Sequence, residues 1–215
     1  MTEAEWLRCT TNPAMMLDQF RNQPGNRKLR LIAIACCNRL LSRITESHQQ
    51  AFLAAITLAE RFVEGQVTDE ELIAAYVDAE FGPRIWEVTI ANHSCNPEAR
   101  WAARKAVVSV ARFVSHRSLD GRSERRGELR LLSETVRCVL GNPFRPVEVD
   151  STWLTSDVLL LAGGIYDERA FDRMPILADA LQDTGCANDD VLNHCRGDGP
   201  HVRGCWVVDL LLGKG

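Results

Sequence analysis

Apolar residues recur every three or four positions along most of the chain and strict alternation is scarce, so the pattern predicts helices and little strand. From Arg27 to about Ile44, the residues Leu29, Ala33, Cys36, Leu40 and Ile44 form one stripe. Ile32, Cys37 and Leu41 widen it into a broadly buried face. Ser47 with Gln50 matches a capping box, and Phe52, Ala55, Ile56, Ala59, Phe62 and Val63 then share a face before Gly65. Thr68 and Glu71 repeat the box, with Asp69 and Glu70 where the helix dipole favours acids. Gly82 and Pro83 break that helix, a short segment around Ile85, Trp86 and Ile90 follows, and Asn96 and Pro97 read as N-cap and first helical residue. The helix they open runs through Ala103, Val107, Val110 and Val114 to about His116. The polar stretch from Ser118 to Ser123 predicts a loop, after which Leu129, Leu132, Val136 and Val139 mark a helix closed by Gly141.

Pro143 and Pro146 exclude regular helix and set a boundary after residue 140. Beyond it, Leu154, Val158, Leu161 and Ile165 predict a short helix whose end Gly163 and Gly164 weaken. Pro175 opens another helix, with Leu177 and Leu181 on its face and Gly185 as its stop. The fold class is all-α: an irregular bundle or stack of antiparallel helical hairpins, with a compact, turn-rich C-terminal helical module. Residues 1–140 form the helical region and 141–215 the module, packed on it as part of one structural unit. The hairpins at 27–64 and 97–140 do not match as a repeat.

Composition narrows the function classes. The chain has 215 residues, 46% apolar and 25% charged, which excludes disordered and collagen-like readings and is enough to bury a core without a cofactor. The net charge of −4 argues against a surface devoted throughout to polyanions. The acidic start, Met1 to Glu5, lacks an export signal, and runs such as Leu31 to Cys37 are too short to span a bilayer, so a cytoplasmic location with no membrane partner is expected. In that compartment the eight cysteines are reduced thiols. Cys36 and Cys37, inside an apolar stretch, read as core residues.

Chemistry concentrates near the C-terminus. Cys186, Cys195, His201 and Cys205 form a candidate tetrahedral zinc site, with His194 as alternate ligand, since helix ends would bring them together and His201 and Cys205 fall one turn apart if Pro200 begins the last helix. No Cys-x-x-Cys pair supports it, and buried thiols with hydrogen-bonded histidines are the plainer reading. The glycine-rich stretch 196–204 offers Arg196, His201 and Arg203 to an anion, although it lacks the P-loop pattern. The acids Asp167, Glu168, Asp172, Asp179 and Asp183 are interleaved with Arg169 and Arg173, which points to ion pairs before catalysis. Cys95 near His93 has no orienting third group. Residues 100–130 carry nine basic side chains against Asp120, Glu124 and Glu128, whereas 60–90 carry eight acids against Arg61 and Arg84. Arg100, Arg104, Arg112, Arg122, Arg125 and Arg126 are therefore candidates for nucleic-acid phosphates, with internal pairing of the two segments as the cheaper explanation.

Four stretches, Arg27 to Cys37, Asn142 to Val147, Ile165 to Phe171 and His194 to Trp206, together resemble a large paralogous family of uncharacterised bacterial proteins typical of planctomycetes. The resemblance implies a grouping and no mechanism. No catalytic spacing is recognisable, so the expected function is a non-catalytic protein-interaction or regulatory module whose partner is another protein. Nucleic-acid binding or a zinc-stabilised module are the alternatives.

Overall fold

The computed structural model describes residues 1–18, 25–81, 85–117 and 120–214, except for the side chains of Glu80 and Phe81. These residues contain helices and no strand, so the all-α expectation holds. In chain order the helices are α1 (Glu3–Arg8), α2 (Pro13–Asp18), α3 (Asn26–Asn38), α4 (Glu46–Val63), α5 (Asp69–Phe81) and α6 (Trp86–Asn92). They continue with α7 (Ala99–His116), α8 (Gly121–Leu140), α9 (Ser156–Glu168), α10 (Met174–Asp183), α11 (Asp189–Arg196) and α12 (Trp206–Leu211). The chain divides into two compact units, Met1–Val136 and Arg137–Gly215, so the division falls inside α8.

In the first unit, α3 is buried from Leu29 through Cys37, as its widened stripe predicts, and packs on α7 and α4. Burial pushes the Cys36 thiol up to about 12, and Cys37 well above the ordinary thiol value, so both behave as small hydrophobes. The buried Arg30 on α3 donates to the carbonyls of Ser94 (2.6 Å), Asn96 (2.9 Å) and Pro97 (3.3 Å), tying down the turn between α6 and α7. Its guanidinium also lies 4.8 Å from the Phe62 ring centre.

Helix ends follow local chemistry with some corrections. The Thr68–Glu71 box forms, with Thr68 N donating to Glu71 Oε2 at 2.9 Å and Glu71 N to Thr68 Oγ1 at 3.3 Å. The Ser47–Gln50 box does not, because α4 begins at Glu46 with Thr45 as its N-cap, which puts Ser47 inside the first turn. An unforeseen box, Thr2 with Glu5, starts α1. Helix α7 begins at Ala99, two residues beyond Pro97, and the Asn96 side chain instead accepts from Glu98 N at 2.9 Å. Helix α8 begins at Gly121, within the stretch expected to be loop, of which Ser118 and Leu119 lie outside the described residues, as does the Gly82–Pro83 break.

The second unit has its own core, built from Val158, Ile165, Leu177, Leu181, Val191 and Val208 with Cys138, Cys186, Cys195 and Cys205. Gly163 and Gly164 lie inside α9, which continues to Glu168 and stops at Arg169 in the left-handed region (φ 57°). Gly141, at φ 67°, ends α8. A Cβ there would meet Trp206 Cγ at 3.2 Å, so the chain beyond Cys138 lies close against α12. Pro200 does not open the last helix, which starts at Trp206.

Candidate metal centre

Four side chains of the second unit converge. Cys138 stands in the last turn of α8, His194 on α11, His201 in the loop that follows, and Cys205 at the N-cap of α12. Their ligand atoms, two sulfurs and one ring nitrogen from each histidine, all lie within 4.8 Å of one another. A tetrahedral zinc with ordinary Zn–S and Zn–N bonds spans edges of roughly 3.3–3.8 Å. The cluster therefore needs a contraction of about 1.5 Å at most to close on such an ion.

Local chemistry places each ligand. Asn188 caps α11 by accepting from Val191 N at 3.1 Å, and Val191, Leu192 and Cys195 form the buried face. His194 is a neighbour of Cys195 on that helix and so points about 100° away from it. Its Nε2 reaches Cys205 Sγ at 3.2 Å. Gly204, at φ 91°, makes the turn that delivers Cys205, whose backbone N–H donates to Val202 O at 2.9 Å. His201 Nε2 lies 3.2 Å from Gly197 O, and a carbonyl can only accept, so this nitrogen carries the proton in the neutral ring. Nδ1 is then the lone-pair nitrogen, and it is buried with no hydrogen bond of ordinary geometry. A backbone acceptor fixing the tautomer of an imidazole is the usual outer support of a metal-binding histidine.

The electrostatics suit a thiolate. Burial works against ionisation of Cys205, yet hydrogen bonding with Cys138 and His194, the His194 charge and His201 pull it well below the ordinary thiol value. Burial also disfavours the charged form of His201, but its bonding to Cys205, the sulfur's charge and the Gly197 carbonyl raise its pKa.

Of the residues expected at this site, the structure brings together His201, Cys205 and the alternate His194. Cys186 and Cys195 stand outside the group. Both are buried in the core, and burial, then the neighbouring Cys205 and Cys186 sulfurs, push Cys195 upward, which keeps it a neutral thiol. Cys138 was missed because a cysteine within an apolar helical stripe reads as a core residue. Its one distinguishing signal is a position in the last turn before the Gly141 stop.

The other candidates disperse. Arg196 pairs with Asp179 at 2.8 Å and Gln182 at 2.6 Å, and Arg203 lies 4.6 Å from the Tyr166 ring centre, so the 196–204 loop does not gather its charges on an anion. Glu168 pairs with Arg173 at 3.0 Å. Cys95 donates to Ala55 O at 3.2 Å and burial pushes it up to about 11, while His93 meets Trp101 edge-on, so no thiol nucleophile is assembled. Cys95 also lines a cavity of about 480 Å³ with Ala51, Leu58, Ala79, Asp78 and Asn92, in which no acid–base pair converges. Thr45 and Glu87 both approach His48 Nδ1, at 3.0 and 4.0 Å, whereas a proton relay needs opposite ring nitrogens.

The basic segment is split. Arg100 donates to Leu17 O at 2.6 Å, Arg104 pairs with Asp18, and Arg117 pairs with Glu87 at 2.5 Å. Arg112, Arg122, Arg125 and Arg126 are exposed and make no ion pair among the described residues. No described helix is long and apolar enough to cross a membrane. No family model, no curated protein and no solved structure matches the chain.

Proposed function

We propose that the C-terminal unit is a zinc-stabilised helical module with a non-catalytic, interaction or regulatory role. The observation that carries this reading is the convergence of Cys138, His194, His201 and Cys205 within 4.8 Å. Two sulfurs and two imidazole nitrogens suit zinc over calcium or magnesium, which take oxygen ligands. With all four positions filled by protein, no place remains for a substrate water, so the ion supports folding rather than hydrolysis. A reducing cytoplasm keeps both thiols available, and the partner is then another protein. The test is elemental analysis of untagged protein, with melting before and after chelation. About one equivalent of zinc and a clear fall in Tm on chelation support the reading, and less than about a tenth of an equivalent with unchanged melting ends it.

Nucleic-acid binding is the second reading, favoured by the exposed Arg122, Arg125 and Arg126, which share one face of α8. Arg100 and Arg104 have internal partners and drop to a lesser role. Charge reversal of the three α8 arginines abolishes binding on this reading, and wild-type affinity falls steeply with salt. Absence of binding to DNA or RNA at low salt removes it.

A further inference from the structure

We propose that the metal centre is redox-releasable: hydrogen peroxide joins Cys138 and Cys205 in a disulfide and the metal leaves. This rests on the zinc reading above and adds regulation to it. Both thiol ligands of the site come from elements far apart in the chain, and their sulfurs lie within 4.8 Å of each other. A zinc ion would hold them at roughly 3.8 Å as thiolates, the nucleophilic form, so occupation of the site prepares the pair that oxidation joins. His194 and His201 beside the sulfurs are half-exposed, while Cys138 and Cys205 are themselves buried. A small peroxide suits that access better than a protein oxidant.

The chemistry balances with peroxide as the two-electron oxidant. The Cys205 thiolate attacks one peroxide oxygen, an S–O bond forms, the O–O bond breaks and hydroxide leaves. The Cys138 thiolate then attacks the Cys205 sulfur, an S–S bond forms and a second hydroxide leaves. Two protons convert the hydroxides to water, and the divalent ion, left with two imidazoles, is released. Cys195 is a poorer partner for Cys205, since it stands outside the group of converging ligand atoms.

The experiment uses zinc-loaded full-length chain with Cys9→Ser, which removes the one cysteine that is not buried. Graded peroxide is added, zinc is followed with a metallochromic indicator, and disulfides are located by peptide mapping. The expected result is about one zinc released per Cys138–Cys205 linkage, with a mass loss of about 2 Da, reversed by dithiothreitol and added zinc. A Cys186→Ser, Cys195→Ser variant should respond alike, and mapping of the parent chain decides the matter if that variant does not fold. Zinc retained through peroxide treatment, or released with a Cys186–Cys195 linkage or with sulfinate and no disulfide, overturns the proposal while leaving the zinc reading standing. A chain that takes up no zinc before oxidation overturns both.

Discussion

His194 Nε2 lies 3.2 Å from Cys205 Sγ, joining α11 to the N-cap of α12. Without a metal this contact is a hydrogen bond between sulfur and imidazole, and a bound metal would make it an edge of the coordination tetrahedron.

The division between ligands and bystanders is testable by substitution. Cys138→Ala, His194→Ala and Cys205→Ala should each weaken zinc affinity by at least about tenfold, measured by competition with a chelating indicator. Cys186→Ala and Cys195→Ala should leave it unchanged and cost about 1 kcal/mol of stability as core substitutions. Loss of metal on Cys195→Ala with retention on Cys138→Ala would reverse the assignment.

Gly141→Ala should destabilise the protein by about 1–2 kcal/mol, because a side chain at positive φ is strained and its Cβ would press on Trp206. Zinc affinity should fall with it, since Cys138 belongs to the same helix end. Gly127→Ala makes the opposite prediction. That glycine is exposed within α8 with open space around its would-be Cβ, so thermal melting should show a gain of about 0.5–1 kcal/mol.

Two acids one turn apart on α8 should differ in weight. Glu128 is buried (7% exposed side chain) and is held by Arg39, whereas Glu124 (45%) pairs with Arg43 at 3.2 Å in the open. Denaturant unfolding should show Glu128→Ala costing about 3 kcal/mol, since it strands a partly buried guanidinium. Glu124→Ala should cost less than about 1 kcal/mol. Equal effects would mean that burial does not set the strength of these pairs.

Arg30→Met should cost about 3 kcal/mol in chemical unfolding, because the carbonyls of Ser94, Asn96 and Pro97 lose a charged donor in a buried turn. Burial lowers the Arg30 pKa from its ordinary value, with Cys95 and Asp69 acting in the opposite direction. A loss below about 0.5 kcal/mol would show that the turn is held by other contacts.

What the sequence by itself determined is local. The Thr68–Glu71 box, the glycine stops at Gly65, Gly141 and Gly185, and the burial of Cys36 and Cys37 all follow from interactions within a turn or two of helix, where side chain and backbone are bound to meet. Even there a shift of one residue matters: with α4 starting at Glu46, Thr45 takes the cap and Ser47 cannot.

Only the tertiary structure decided which thiols face one another. His194 and Cys195 are adjacent in sequence, yet helical geometry sends one toward Cys205 and the other into the core. Cys138 joins the histidines because α8 ends at Gly141 close against Trp206, a contact that no local spacing encodes. The arginines sorted in the same way, with Arg100 and Arg104 engaging the end of α2 while Arg122, Arg125 and Arg126 remain in solvent. Helix periodicity fixes the direction of a side chain relative to its own axis, but a ligand set depends on where separate axes end, and that is settled by packing across the chain.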